Sequence, residues 1–562
     1  MIIIPFIIIS LIEIFNHEPW RDEGQAWLIA RDSNTLMDLF NSMRYESSPA
    51  LWHLLLTPLA KIGLPYFTMA LTHFLIIFLS VLLVIHFSPF TQLQKGTLIF
   101  GYYFLYEYNV IARSYVLTAL FLFLIAAYYQ ERFQKPKLYG SLLILLANSN
   151  VHSLVISIVL GSAFLYEMYE QKERSSTPKF YIPIIIIFFG LLLAFLQILP
   201  PYDFSPGLSG WNLNITRFKE LEKAIIGTFF PIQGTKWNTL LFTNTINFLF
   251  LLAFIPLMFS LLFFLRKPFP MSIYILSMVG LFAIFFTKSG KGFRHYGLVF
   301  LLFIFCLWIA TYYSDDLLSR KDLLAIPVIF SLMGLVITFL TYIILVKSFL
   351  FADIINAIRF GLLSSCFFFG LGVVLRKKLL EIVQIHFGFK LNLDLKNTSI
   401  NQKVFFSKAL SVMLIFHIIG SAIAFSYEIN HDFSAGKDVA YYIMNNEMLN
   451  NNTFIAIYPS PPATSILPHI SHIYKQFYFI EYMEFRSFMI WNQKYYNSSS
   501  LSIEEIMIRI NTAVENTTYT NIILILNKKV NNPTFNEKYS LLAGFEETLV
   551  PSESFYIYSL IN

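Results

Sequence analysis

Residues 19–52, PWRDEGQAWLIARDSNTLMDLFNSMRYESSPALW, decide how the whole chain is read. They follow the first apolar run directly and gather Asp22, Glu23, Asp32, Asp38 and Glu46 with Arg21, Arg31 and Arg44 in one interhelical segment. A plain connector between two membrane helices needs none of these charges. Acids and bases are costly to place at a membrane boundary, so a cluster of them marks a functional loop. This loop is the candidate active site.

Around it the chain is strongly apolar. Of 562 residues, 56% are hydrophobic and 13% charged, and the mean hydropathy is +0.61, far from the soluble average. The composition reads as a polytopic α-helical membrane protein. Cys306 and Cys366 fall inside apolar runs, in no spacing that suggests a disulfide, a metal or redox chemistry. The net charge of +6 comes from bases that punctuate the ends of apolar segments, as membrane topology requires. Nucleic acid is therefore not an expected partner, and membrane lipids are.

Residues 1–15 read as a retained first helix, because neither a basic n-region nor a small-residue cleavage site precedes Pro19. Residues 25–40 carry apolar positions at helical spacing with charges between them, the pattern of a helix lying on the membrane. Residues 49–62 are too short to cross and stop at Gly63 and Pro65, which makes 16–65 one outer loop with juxtamembrane helices. Spans are expected at 66–88, 97–111, 113–130, 138–150, 152–170, 180–199, 240–265, 270–287, 294–313, 322–346, 352–375 and 404–426. With the first helix that makes about thirteen crossings. Lys95, then Arg132, Lys135 and Lys137, then Lys172, Arg174 and Lys179, then Arg266 and Lys267, then Arg320 and Lys321, then Arg376, Lys377 and Lys378 fall on alternate loops. The positive-inside rule makes those loops cytoplasmic. Loop 16–65, the second long loop 200–238, the turn 288–295 and the tail 427–562 then face outside.

The tail changes character. Residues 453–458, 521–526 and 555–560 read as strands, and 435–449 and 503–514 as amphipathic helices, so 427–562 is a small extracytoplasmic α/β domain on a transmembrane domain of residues 1–426. The sequons at Asn451, Asn497 and Asn516 reflect an Asn-rich composition.

The ordered motifs resemble a known superfamily. Asp22-Glu23 in RDEGQAW after the first helix, and Glu46 in YESSPALWHLLL before a proline and an apolar run, resemble the first outer loop of the GT-C glycosyltransferases. The family 39-like protein mannosyltransferases and lipid A aminoarabinose transferases look most similar. Ala112-Arg113-Ser114-Tyr115 is similar to the family's Ala-Arg-x-Tyr at the outer start of a helix, and His152 in NSNVHSLV stands where those enzymes often carry a His. The likeness covers roughly the first 170 residues. Where the family often has two prolines or Lys-Pro after the second acid, this chain has Ser47, Ser48 and Pro49. The resemblance implies a GT-C-like fold and an inverting transfer of sugar from a polyprenyl-phosphate donor to a glycan, lipid or protein acceptor.

Such transfer needs a base on the attacking side and cations around the departing phosphate. Asp22 suits the base; its other reading is the N-cap of the following helix. Glu23 is the second catalytic candidate, and Glu46 either binds the acceptor or, like Glu23, pairs with Arg44 or Arg21. Arg113 suits the phosphate because a guanidinium forks onto its oxygens and stays charged, a snorkelling helix-end arginine being the alternative. Lys288, Lys291, Arg294 and His295 gather on an outer turn against the positive-inside bias, which fits a phosphate or anionic headgroups. Tyr115 and His152 complete the candidate binding set, although a buried histidine is more often a packing residue. The acids form no recognised ligand set, so no cofactor is expected beyond a divalent metal with which they are compatible. A transporter or flippase for lipid-linked saccharides is the main alternative, and a polymerase or ligase the second. A transporter would favour paired repeats and midplane charges, whereas these charges stand at the outer edge.

Overall fold

The computed structural model describes residues 2–170, 181–204, 218–241, 249–287, 292–318, 320–346, 351–387, 398–446, 452–470, 472–515, 519 and 521–561. The first helix, α1 (Ile3–Asn16), breaks at His17–Trp20 and the chain turns by 85° into α2 (Arg21–Asp32). Next come α3 (Leu36–Glu46) and α4 (Leu51–Lys61), both too short to cross a bilayer. The chain continues through α5 (Thr68–Phe87), α6 (Gln92–Ile99), α7 (Tyr115–Ala127), α8 (Pro136–Ala147), α9 (Val151–Glu170), α10 (Tyr181–Ile198), α11 (Phe218–Phe229), α12 (Leu249–Leu262), α13 (Pro268–Thr287), α14 (Phe293–Ala310), α15 (Arg320–Val346), α16 (Phe351–Phe387) and α17 (Thr398–Asn430). Among the described residues eight of these are long and apolar enough to span: α5, α9, α10, α13, α14, α15, α16 and α17. Three shorter apolar helices, α7, α8 and α12, stand among them.

The helix expected over 97–111 is interrupted. After α6 the chain makes a π-helical turn at Tyr103–Glu107 and runs irregularly to α7. Tyrosines explain the break, because each needs a partner for its buried hydroxyl. Tyr102 donates to Glu107 at 3.0 Å, Tyr103 to the Gly227 carbonyl at 2.6 Å, Tyr106 to Glu428 at 2.7 Å and Tyr108 to the Arg294 carbonyl at 2.7 Å.

Charge sorts the two ends of the bundle. At one end Arg132 pairs with Glu167 at 2.7 Å, Lys267 with Asp315 at 3.0 Å and Arg376 with Asp316 at 2.8 Å. Those bases belong to the loops and helix ends expected on one face; Lys172, Arg174 and Lys179 lie outside the described residues. The acidic loop and the tail lie together at the other end.

The tail is a six-stranded sheet in the order β3-β2-β1-β4-β6-β5, with β1 (Thr453–Tyr458), β2 (Phe477–Phe479), β3 (Glu484–Arg486), β4 (Asn521–Leu526), β5 (Tyr539–Phe545) and β6 (Phe555–Leu560). β1 is parallel to β2 and β4, and the other pairs are antiparallel. Helices α18 (Gly436–Asn445), α19 (Ala463–Ile470) and α20 (Ile503–Val514) cover it. Of the sequons, Asn451 and Asn516 lie outside the described residues.

The tail changes the reading of α2. A helix lying on the membrane was expected, yet every residue from Glu23 to Ala30 is buried. Ala26, Trp27 and Ala30 join the transmembrane core, Leu28 enters the core of the tail, and Ile29 packs with Leu39, Met43 and Ala50. The polar pattern of α2 therefore reflects buried partners, not water. Arg21 N–H donates to Glu553 at 3.0 Å, Thr464 Oγ1 donates to the Arg21 carbonyl at 2.8 Å, and Gln25 exchanges two 2.9 Å hydrogen bonds with the Met489 backbone.

Candidate active site

Asp22 is the second residue of α2, and its side chain faces a cavity of about 720 Å³. It does not cap the helix: Trp20 holds the N-cap position, and Glu23 accepts the Trp20 N–H at 3.1 Å. Asp22 pairs directly with Arg113, while Arg294 and Arg21 each stand 3.7 Å away. Burial pushes the Asp22 carboxyl up, but Arg113, Arg294 and Arg21 outweigh it and hold the group below the usual range. Asp22 is thus ionised at neutral pH, with three guanidinium groups around it and a side chain 24% exposed to the cavity.

Glu46, at the end of α3, lines the same cavity. Its Oε1 accepts from Gln25 Nε2 at 2.8 Å and from Trp491 Nε1 at 3.3 Å, so Gln25 and a tail residue hold it. Arg44, the pairing partner considered from sequence, instead donates to the Leu199 carbonyl at 3.1 Å. Burial raises the Glu46 carboxyl, Gln25 opposes the rise and Asp22 adds to it. The two acids that share this cavity therefore have carboxyls shifted in opposite directions.

The N-terminal ends of α7, α9 and α14 converge on the cavity through Tyr115, His152 and His295. Tyr115 Oη lies 2.9 Å from His295 Nε2, and the His152 ring centroid is 4.9 Å from that of His295. Both ring nitrogens of His152, which is 5% exposed, lack a hydrogen-bond partner among the described residues. Helix N-termini and arginines together make an environment for an anion. Below the polar end the walls are apolar: Val155 and Ile158 of α9, Phe195 and Ile198 of α10, and Ala283 and Ile284 of α13. Ile158 is 46% exposed and Phe195 51%, so this part opens sideways where lipid would lie.

Six of the ten residues singled out from sequence thus meet in one cavity: Asp22, Glu46, Arg113, Tyr115, His152 and His295. Arg294 reaches Asp22, with its guanidinium 5.3 Å from the Trp20 ring and 5.6 Å from that of Trp237. Lys288 and Lys291 lie outside the described residues. Glu23 points away from Asp22. Its Oε1 accepts the Ala112 N–H at 2.7 Å and its Oε2 stands 3.0 Å from His17 Nε2. It borders a second cavity of about 810 Å³ on the other side of α2, lined also by Arg31, Lys437 and His469. Among the described residues no group of three or more His, Cys, Asp or Glu side chains is placed to hold a metal ion.

Sequence reasoning missed Gln25, His17, Glu428 and Trp491. Gln25 stands in the acidic loop but carries no charge; the others are tied in by contacts across more than 400 positions, His17 to Glu428 and Glu46 to Trp491.

Fold and site together define a multi-span helical membrane protein whose folded α/β domain packs against the acidic loop that lines a charged cavity. No family model matches the chain, and no curated protein matches it. Among solved structures, the crystal structure of ArnT from Cupriavidus metallidurans bound to undecaprenyl phosphate is similar over 99% of this chain and 97% of that one, with a TM-score of 0.48 and 10% sequence identity. The apo state of the same protein is similar over the same shares, with a TM-score of 0.43 and 10% identity.

Proposed function

We propose that this protein is a GT-C-like inverting glycosyltransferase of a bacterial inner membrane, moving a sugar from a polyprenyl-phosphate donor to a periplasmic-side glycan, lipid or protein acceptor. One observation carries the reading: an ionised carboxylate, Asp22, and a guanidinium, Arg113, meet at the polar end of a cavity whose other end runs between apolar helices to lipid-exposed side chains. An amphiphile with a phosphate at one end and an isoprenoid chain at the other matches that gradient.

In the transfer, the acceptor hydroxyl or amine attacks the anomeric carbon and its proton passes to Asp22. The bond from that carbon to the phosphate oxygen breaks, and the polyprenyl phosphate leaves with the electron pair onto Arg113 and Arg294. The Asp22–Arg113 pair has a consequence for timing. A phosphate that takes the N–H groups of Arg113 withdraws a cation from Asp22, so donor binding makes Asp22 a stronger base. Direct displacement inverts the anomeric centre. Glu46, held between Gln25 and Trp491, is placed to bind the acceptor.

The test is Asp22→Asn in purified protein, compared with wild type for thermal stability, polyprenyl-phosphate binding and release of polyprenyl phosphate from a labelled donor. The variant keeps its fold and its lipid binding and loses about two to four orders of magnitude in transfer rate. Near-normal release refutes the assignment of the base. Movement of the lipid-linked sugar across vesicles by wild-type protein, with no cleavage, replaces the transferase with a transporter.

A further inference from the structure

We infer that His17 is a positioning residue for the transfer step, clamping Glu23 and Glu428 together so that Glu23 fixes the backbone beside Arg113. The inference rests on the role given above to Arg113 as the group that receives the departing phosphate.

His17 lies in the break between α1 and α2 and is 7% exposed. Its Nδ1 stands 2.6 Å from Glu428 Oε1 and its Nε2 3.0 Å from Glu23 Oε2. With both ring nitrogens on carboxylates, both must carry protons, and the ring is an imidazolium. Burial alone would lower its pKa, but Glu23 and Glu428 outweigh burial and lift it to about 10.

Each acid uses its second oxygen on the same stretch of chain. Glu23 Oε1 accepts the Ala112 N–H at 2.7 Å, and Glu428 Oε2 accepts the Tyr106 hydroxyl at 2.7 Å. Glu23 follows Asp22, and Ala112 precedes Arg113. The contact between Asp22 and Arg113 in the cavity is therefore one rung of a ladder whose other rung, Glu23 to Ala112, is buried. His17 secures the buried rung to α17 through Glu428. Without the imidazolium, two acids face each other out of water with no cation between them. The hold on Ala112 then loosens and lets Arg113 drift.

A double-mutant cycle separates positioning from general stability. Full-length wild type, His17→Gln, Arg113→Lys and the double variant are compared for kcat, KM and polyprenyl-phosphate Kd with a labelled polyprenyl-phosphate sugar. His17→Gln lowers kcat by about 10²-fold, the cost of a misplacement of about 1 Å at reacting groups, and raises the polyprenyl-phosphate Kd by about ten-fold, because Arg113 also grips the bound phosphate. In the Arg113→Lys background the same change costs no more than a few-fold, because there is no longer a fork to hold in place. Losses that multiply, or a His17→Gln protein with wild-type kcat, overturn the inference. If His17→Gln does not fold, Tyr106→Phe removes only the hydroxyl on Glu428 and enters the same cycle, where multiplying losses overturn it equally. A wild type that binds polyprenyl phosphate but never releases it from the donor fails the glycosyltransferase reading alone. The cycle is then run on Kd, and independent losses of affinity end the positioning role. A wild type that neither binds nor cleaves ends both.

Discussion

Gly24→Ala tests whether the tail and the acidic loop form one unit. A Cβ at Gly24 would lie 1.7 Å from the Thr464 carbonyl oxygen and 2.7 Å from its carbon, where real Cβ contacts stay beyond 3.0 Å. Both atoms belong to backbone, so α19 must retreat from α2 by more than about 1 Å. Two effects compete. Alanine gains about 1 kcal/mol over glycine inside a helix. Overpacking costs about 1–3 kcal/mol, and the hydrogen bonds that Arg21 makes with Thr464 and Glu553 contribute about 1 kcal/mol each when intact. The net expectation is a loss of about 1–3 kcal/mol in tail docking. The shift also reaches Gln25, which holds both Met489 and Glu46, so turnover falls by about 10²-fold. Protease cleavage of the tail during a thermal ramp in detergent, with donor turnover on the same samples, reads both. Gly96→Ala is the control: it too is helical, but its Cβ would meet only Ile2 Cδ1, at 3.9 Å, and it should be neutral or slightly stabilising. If Gly24→Ala behaves like Gly96→Ala, the close approach of α2 and α19 is refuted.

Arg113→Lys should lower turnover by about 10²-fold despite the kept charge, because a point donor replaces a fork that would grip two phosphate oxygens; wild-type turnover would reduce Arg113 to an anchor. Glu553, buried against Arg21 and Ser434, is pushed by burial from 4.5 to about 7. A carboxyl whose folded pKa is raised binds its proton more readily folded than unfolded, so its contribution to tail docking is full below about pH 4.5 and is lost as pH rises through about 7. The docking midpoint should therefore fall across that window in wild type and fall less in Glu553→Gln; an identical slope in both removes Glu553 from the account. Reporters fused after Asn562 should be active in the periplasm and those after Lys137, Lys267 and Lys378 only in the cytoplasm; a cytoplasmic tail would invert the site.

Charges at apolar boundaries are legible without a structure. Asp22, Glu46 and Arg113 stand out because nothing in a bilayer wants them, and they do share one cavity. Strands β1, β4 and β6 and helix α20 fall on the expected residues, since each buries a dense apolar run. β2 and β3, three residues each, are too short to show a period, and β5 is largely exposed, so its seven residues carry no alternation. The environment of α2 was misread for a different reason: Arg21 and Gln25 pair with a domain more than 400 positions away, a separation that no local pattern records. The role of Glu23 was hidden likewise, since an acid that holds a backbone N–H has the same letter as one that faces a substrate.

The contact between Trp491 and Glu46 spans 445 positions, which sets an order of events during synthesis. Glu46 of the acidic loop emerges 445 positions before its partner. At roughly 5–20 residues per second the loop waits about 20 seconds to a minute and a half. Until then Leu28 has no core to enter and Glu46 no indole to hold it. The face of α2 that the tail covers, Leu28 with it, stays open to water until the tail has folded.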